Sequence, residues 1–311
     1  MVRSMEQGAW AHPTYTDFDG VNGILGHQGK GWTEKDRFES EMVHQGRNQE
    51  RYRRGELLGS GGWSRVYKVQ RVQDGEMFAG KSCRATHLMR REARILKSIN
   101  HDHILKFIDW DEHSGGSDPD DVLLITDLCE GGTLQQRIDN TFKGLSGRET
   151  LQLTAQIASA LDYLHSTGRF HSDVKPRNIL IRSVTPLHIV LGDCGDILRL
   201  NRCHGTGDDM WALGVTMLGM VGQWPQIDLT KDAARTYPKK CHDHVVVLRD
   251  LNAGNKLVEE LLMPLLAWDA KDRLHADACR KKAIELRDSE IWSEERVMLR
   301  IPDDFKPISF W

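Results

Sequence analysis

The strongest constraint on the fold of this chain is the stretch 170–181, which reads FHSDVKPRNILI. Its polar residues stand at fixed offsets inside an otherwise apolar run. Asp173 is suited to accept a proton from a hydroxyl, Lys175 to neutralise a moving phosphoryl group, and Asn178 to hold a metal ion. The pattern therefore indicates a catalytic loop, rather than a strand-loop-strand segment with incidental charges.

These residues resemble the catalytic loop of the eukaryotic-type serine/threonine protein kinases, whose pattern is His-Arg-Asp-x-Lys-Pro-x-Asn-Ile-Leu. One residue departs from the pattern, since Ser172 stands where the family usually has Arg. The resemblance implies that Asp173 and Lys175 are catalytic. It also implies that Asn178, with Asp193 of a later Gly-Asp-Cys-Gly segment, binds magnesium.

Composition limits the classes of protein that fit. With 311 residues, 39% of them hydrophobic and 28% charged, the chain is expected to be a soluble globular protein. Its net charge of −3 gives no reason to expect nucleic acid or a membrane surface as a partner. We see neither a secretory signal nor a run long enough to span a membrane, so a cytoplasmic or nuclear location is expected.

The six cysteines are scattered, which suits reduced thiols better than a disulfide framework. Cys203-His204 and Cys241-His242-x-His244 leave open a zinc site, although no CxxC pair anchors either half.

Two short β-prone runs flank the glycines Gly59 and Gly61, whose backbone could approach phosphates closely. Lys81 follows on the next predicted strand, after an Asp-Gly turn. This arrangement resembles the kinase glycine loop and its phosphate-binding lysine, with Ser64 replacing the third glycine. Such a replacement is expected to stiffen the loop more than to disable it.

A helical pattern over 86–99 places Glu92 on the same face as apolar residues, which are Leu88, Ile95, Leu96 and Ile99. A carboxylate on a buried face needs a cation, and the family places the lysine corresponding to Lys81 there. The alternative is that Glu92 lies at the edge of the stripe and pairs with Arg91 or solvent.

The run 122–134 is predicted to be a buried strand that ends in a glycine pair, which resembles the hinge between kinase lobes. On that resemblance Thr126 is the gatekeeper, and the backbone of Asp127 and Cys129 hydrogen-bonds adenine. The residues implied to sandwich the adenine ring are Val66, Ala79 and Leu180.

Further on, Ser146 and Glu149 form a predicted capping box that opens the helix leading to the catalytic loop. Cys194 replaces the Phe of the family's Asp-Phe-Gly, and this smaller side chain is expected to loosen the active arrangement.

The largest departure is a shortened activation segment. Gly205-Thr206 runs almost directly into Asp209-Met210-Trp211, and no Ala-Pro-Glu occurs in the chain. Arg273, which in the family pairs with that glutamate, therefore needs another partner or stays exposed. An exon lost from a conceptual translation would give the same gap.

The resemblance implies an α+β, two-lobed kinase fold over 51–290, with a β-rich N-lobe at 51–128 and a mainly helical C-lobe at 129–290. Residues 1–50 are expected to be a loosely ordered extension and 291–311 a C-terminal tail. The implied function is transfer of the γ-phosphoryl group of ATP, with Mg2+, to a Ser or Thr hydroxyl of a protein. The alternatives are a nucleotide-binding pseudokinase that acts as an interaction module and a small-molecule phosphotransferase.

Ser172 also carries an expectation about regulation. In kinases with Arg before the catalytic Asp, that cation is neutralised when the activation loop is phosphorylated. Because Ser172 is uncharged, any activity is predicted to be independent of such phosphorylation and to be set by substrate docking or a regulatory protein partner. The alternative is that Arg199 and Arg202 receive a phosphate on Thr206.

Overall fold

A computed structural model describes residues 51–61, 64–112, 122–141, 144–199, 205–225, 233–289 and 299–300. The predicted extension 1–50 lies outside these residues, as does the predicted tail 291–311 apart from 299–300. None of the helices within the described ranges is long and apolar enough to cross a membrane.

The first part of the chain forms a five-stranded antiparallel sheet, in the order β1-β2-β3-β5-β4. Its strands are β1 (Tyr52–Ser60), β2 (Ser64–Arg71), β3 (Met77–Cys83), β4 (Phe107–Glu112) and β5 (Val122–Thr126). The predicted Asp-Gly turn joins β2 to β3, and Gly75 there has the positive φ of 78° that glycine tolerates.

Helix α1 (Thr86–Lys97) covers one face of this sheet. Side chains alternate across β5, so Leu123 and Ile125 join a small cluster on the other face while Leu124 joins the main core. The buried face of α1 is Met89, Glu92, Ala93 and Leu96, one helical stripe. The predicted stripe was wrong at Leu88, which is 39% exposed because this stripe begins one residue later.

The rest of the chain is mainly helical. Its helices are α2 (Leu134–Asp139), α3 (Gly147–Ser166), α4 (Thr206–Met220), α5 (Ala233–Leu251), α6 (Met263–Leu265) and α7 (Ala276–Asp288). Two short antiparallel pairs lie among them, β6 (Arg169–Phe170) with β9 (Leu198–Arg199) and β7 (Ile179–Val184) with β8 (Leu187–Leu191). The predicted α+β, two-lobed architecture is confirmed.

Helices α3 and α4 form the centre of this second lobe, and α3 leads the chain into β6 and the catalytic loop. Ser146 caps α3 by accepting the Glu149 N–H at 3.2 Å. Only half of the predicted capping box is used in this way, because the Glu149 carboxylate pairs with Arg137. Gly168, at φ 69°, ends the turn after α3 and directs the chain into β6.

Candidate active site

A three-residue ion network joins the two lobes at the centre of the cleft. The Lys81 ammonium donates to Glu92 Oε2 at 2.7 Å and to Asp193 Oδ1 at 3.0 Å. Glu92 is almost fully buried in α1, whereas Asp193 reaches in from the loop after β8. The predicted Lys81–Glu92 pair is therefore present, and the alternative pairing of Glu92 with Arg91 is not what the structure shows.

The electrostatics of this network favour its charged forms. Burial disfavours the Lys81 ammonium, but the charges of Glu92 and Asp193 outweigh burial, so the pKa of Lys81 is raised. Desolvation likewise opposes the Asp193 carboxylate, and the Lys81 charge outweighs it, so the pKa of Asp193 lies below its ordinary value. Lys81 and Asp193 are thereby held in their charged forms, the forms that binding a phosphate with its metal ion requires.

The chain bends sharply after Asp193, which has left-handed backbone angles of φ 55° and ψ 57°. A 3-10 turn, Cys194–Asp196, follows and packs against α1. Cys194 is fully buried there, and burial raises the pKa of its thiol. The ion network is formed with this small side chain in place, so the expected loosening by Cys194 remains a prediction.

Asp173, Lys175 and Asn178 converge in the loop between β6 and β7. Lys175 Nζ lies 2.6 Å from Asp173 Oδ2. Asn178 Nδ2 donates to the same carboxylate oxygen at 2.8 Å and to the Asp173 carbonyl at 2.9 Å. The Asn178 amide nitrogen thus fixes the Asp173 side chain, which leaves the amide oxygen as the acceptor for other groups.

Asp209, the fourth residue of α4, holds this loop in place through hydrogen bonds with its backbone. Its buried carboxylate accepts the N–H groups of His171 and Ser172, each at 2.8 Å, and lies 2.9 Å from His165 Nε2. Ser172 needs such support because its φ is 69°, which a non-glycine residue adopts at a cost. Sequence reasoning placed Asp209 only at the start of a core helix, and its distance along the chain hid this contact.

His171 connects the loop to the segment that carries Asp193. The ring is fully buried, with Nε2 3.0 Å from the Gly192 carbonyl, to which it donates. The Asp173 N–H donates to His171 Nδ1 at 3.4 Å, so one buried imidazole links the segments that carry Asp173 and Asp193.

The residues predicted to enclose adenine lie on both sides of the hinge. On the sheet, Ala79 pairs with Thr126, and Val66 pairs with Lys81. On the other side Leu180 pairs with Thr133 beyond the glycine pair. These pairings place Val66 and Ala79 on the sheet before the hinge and Leu180 on β7 after it, and the enclosure of adenine between them stays a prediction.

Gly131 has a steric role at the hinge, because a Cβ there would lie 2.5 Å from Ile181 Cγ2. Asp127 and Cys129 precede it on the hinge, and burial raises the pKa of the Cys129 thiol to about 12. That thiol is therefore un-ionised at neutral pH and adds no charge to the hinge.

The glycine loop is described up to Gly61 and again from Ser64. Gly59 pairs with Val66 across the hairpin, and the Gly61 N–H donates to the Ser64 carbonyl at 2.8 Å. Gly62 and Trp63 lie outside the described residues.

The end of the shortened segment is secured by Arg273. Its guanidinium donates to the carbonyls of Gly207, Ala267 and Trp268, stacks over the Trp211 ring and lies 3.7 Å from Asp208. Arg273 therefore has other partners in this protein, in place of the Ala-Pro-Glu glutamate with which it pairs in the family. The residues named as phosphate receivers, Arg199 and Arg202, have no described side chain.

The zinc alternative gains no support. Within the described ranges, no three His, Cys, Asp or Glu side chains are arranged to hold a metal ion. Cys241 is buried, and burial raises the pKa of its thiol to about 12, whereas zinc takes the thiolate. Cys203 and His204 lie outside the described residues.

Known proteins match the chain over this region. The protein kinase domain family matches residues 52–201. Human serine/threonine-protein kinase ULK3 is 29% identical over 252 residues, covering 70% of this chain and 49% of that protein. Its Xenopus laevis counterpart is 35% identical over 150 residues, covering 45% of this chain and 30% of that protein.

The Dictyostelium discoideum probable serine/threonine-protein kinase PLK is 27% identical over 219 residues, covering 60% of this chain and 21% of that protein. The chain thus spans about half the length of the human relative and less of the other two. These matches agree with the two-lobed fold, the Lys81–Glu92 pair and the catalytic-loop geometry. Residues 52–201 thus match the protein kinase domain family, and the similar proteins support a kinase of the eukaryotic serine/threonine type.

Proposed function

We propose that this protein is a catalytically active kinase, which uses ATP and Mg2+ to phosphorylate Ser or Thr hydroxyls of a protein. The observation that carries the proposal is the assembled ion network, in which Lys81 contacts Glu92 and Asp193 at the same time. In protein kinases this lysine–glutamate pair and the metal-binding aspartate must both be in place for phosphoryl transfer.

The oxygen atoms near the loop fit magnesium. Asn178 directs its amide nitrogen to Asp173 and so offers Oδ1, and Asp193 offers the carboxylate oxygen that Lys81 does not take. Magnesium prefers oxygen ligands and is usually held by one or two protein groups together with substrate phosphates. When bound, it would neutralise charge on the phosphates of ATP.

The chain's own residues then have separate tasks. Asp173 orients the substrate hydroxyl and accepts its proton, held in position by Asn178. Lys175, 48% exposed, is free to turn from Asp173 toward the group being transferred. Lys81 positions the phosphates, while the Asp127 carbonyl and the Cys129 N–H form hydrogen bonds with the edge of the adenine ring.

A pseudokinase is the second candidate, and the shortened segment favours it. Only residues 200–204 separate β9 from Gly205, so the chain has little length there for a peptide platform. Such a protein would bind nucleotide and act through a partner. A cytoplasmic or nuclear location is proposed for either function.

The experiment is a thermal unfolding series with Mg-ATP, with ATP plus a chelator, and without ligand, followed by transfer of labelled phosphate to a generic basic protein. At about 100 times its dissociation constant, Mg-ATP should add about 2.7 kcal/mol of stability. Stabilisation with transfer supports the kinase. Stabilisation without transfer supports the pseudokinase, and no stabilisation at millimolar Mg-ATP rejects both.

A further inference from the structure

Arg182 stands at an irregularity in β7 close to the hinge. Ile181 pairs with Ile189 and Ser183 pairs with His188, so Arg182 is an extra residue in the ladder. A bulge of this kind redirects a side chain and is frequent beside functional sites. Arg182 also follows Leu180, which is proposed to form one wall of the adenine pocket, by two residues.

The Arg182 guanidinium joins two separate segments of the chain. Nη2 donates to the Asp127 carboxylate at the hinge, and Nη1 donates to the Asp102 carbonyl, 3.3 Å away, in the loop after α1. Both side chains of this ion pair are partly buried. Arg182 is 29% exposed and Asp127 is 18% exposed. An ion pair with this degree of burial is less screened than a surface pair.

The peptide unit of Asp127 is held on several sides. Its N–H donates to the Lys106 carbonyl at 3.2 Å, and Oδ1 accepts the Lys106 N–H at 2.8 Å. Its carbonyl, which is proposed to accept an adenine hydrogen bond, has a long 3.5 Å contact with the Thr126 hydroxyl. Arg182 adds a further hydrogen bond, to the Asp127 carboxylate, and so helps to set the direction in which the Asp127 carbonyl points.

The loop after α1 is hydrogen-bonded to the hairpin of β7 and β8, which also carries Arg182. The Asp102 carbonyl also accepts His188 Nε2–H at 2.9 Å. Leu191 donates its N–H to the His103 carbonyl at 2.9 Å, and Leu105 donates its N–H to the Leu191 carbonyl at 3.0 Å. The loop therefore forms an isolated parallel bridge to β8, between Ile104 and Leu191, directly downstream of the helix that carries Glu92.

We propose that Arg182 is a positioning residue, which orients the Asp127 carbonyl for adenine and couples that contact to the loop following α1. The inference rests on the proposed nucleotide site. Arginine suits the task because its planar guanidinium can donate to two acceptors at once, whereas a lysine offers a single nitrogen.

The test compares Arg182→Met and Arg182→Lys with Arg249→Met, a control at an exposed pair with the adjacent Asp250. Calorimetry would give the affinities for adenosine, ADP and ATP, and for inorganic tripolyphosphate with magnesium. We expect Arg182→Met to weaken all three adenine ligands by a similar factor, about fivefold to tenfold, with tripolyphosphate unchanged. Arg182→Lys should fall between Arg182→Met and wild type, and Arg249→Met should match wild type.

Hydrogen exchange without nucleotide provides a second readout. In Arg182→Met the amides of Asp127 and Leu105 should exchange several-fold faster than in wild type, while amides within α3 keep their rates. Asp127→Asn should have a similar effect, and combining it with Arg182→Met should add little further change.

Unchanged adenine affinities in Arg182→Met would overturn the proposal, and so would equal weakening of tripolyphosphate, which indicates general loosening. If wild type binds no adenine ligand, the proposed function has failed. The exchange rates then still decide the structural tie, because unchanged rates at Asp127 and Leu105 reject it.

Discussion

Lys81 and Glu92 lie 2.7 Å apart across the interface between strand β3 and helix α1, with the Glu92 side chain 6% exposed. A carboxylate this buried is stable only because a cation meets it. The pair therefore fixes the position of α1 as well as the charge of Lys81.

Replacing Glu92 tests this dual role. We expect Glu92→Gln to lower the free energy of unfolding by about 2–4 kcal/mol, because Lys81 loses its buried carboxylate partner and keeps the more exposed Asp193. Phosphoryl transfer should fall by about tenfold or more. Glu112→Gln is the matched control, since Glu112 pairs with Arg90 at a more exposed site, and its effect should stay within about 1 kcal/mol. Equal effects of the two changes in urea unfolding would show that the buried Lys81–Glu92 pair stabilises the fold no more than the exposed pair does.

Arg273 gives a prediction about the shortened segment. Arg273→Met leaves the carbonyls of Gly207, Ala267 and Trp268 without this donor. We expect a loss of about 2–4 kcal/mol in unfolding free energy. The control is Lys271→Met, which removes an exposed cation beside Asp269 and should be nearly neutral. A wild-type melting curve for Arg273→Met would show that these contacts do not secure the segment.

His244 predicts a dependence of stability on pH. Burial on α5 lowers its pKa from 6.5 to about 4 in the folded protein. The unfolded chain therefore binds a proton at His244 more readily than the folded protein does. The contribution of neutral His244 to the free energy of unfolding is complete above pH 6.5 and is lost as pH falls from 6.5 toward 4. The full loss is about 3 kcal/mol.

The measurement is urea unfolding of wild type and His244→Gln between pH 7.5 and 4.5. The variant should lose less stability on acidification than wild type, and His87→Gln, at an exposed position, should follow wild type. Parallel curves for all three proteins would rule out this role for His244.

Ser172 predicts insensitivity to dephosphorylation. The catalytic loop is held by Asp209 through the backbone of His171 and Ser172, so its position does not depend on a phosphate bound by residue 172. Phosphatase treatment of protein made in a eukaryotic host should leave activity within about twofold. Loss of most activity, restored by rephosphorylation of Thr206, would refute this.

Much of the site could be predicted because its residues occur in short motifs. Lys81 and Asp193 meet although 112 positions separate them, and each was identified from its neighbours in sequence. The Asp209 and Arg182 contacts were not predicted. A buried carboxylate that accepts backbone N–H groups leaves no local pattern, and a β-bulge that redirects a side chain depends on the register of two strands.

The boundaries of individual faces were also less predictable than the fold. Leu88 was expected on the buried face of α1, but the sheet contacts the stripe that begins at Met89. A one-residue shift rotates a helix face by about 100°, and tertiary packing decides between such neighbours.

Asp173→Asn separates nucleotide binding from phosphoryl transfer. Wild type and variant would be assayed together for Mg-ATP affinity and for transfer of labelled γ-phosphate to a basic protein. Since Asp173 acts on the hydroxyl, the variant should keep its ATP affinity within about twofold and lose transfer by about 100-fold or more. Equal transfer by the two proteins, or none by wild type on any substrate tried, would contradict the assignment of an active kinase.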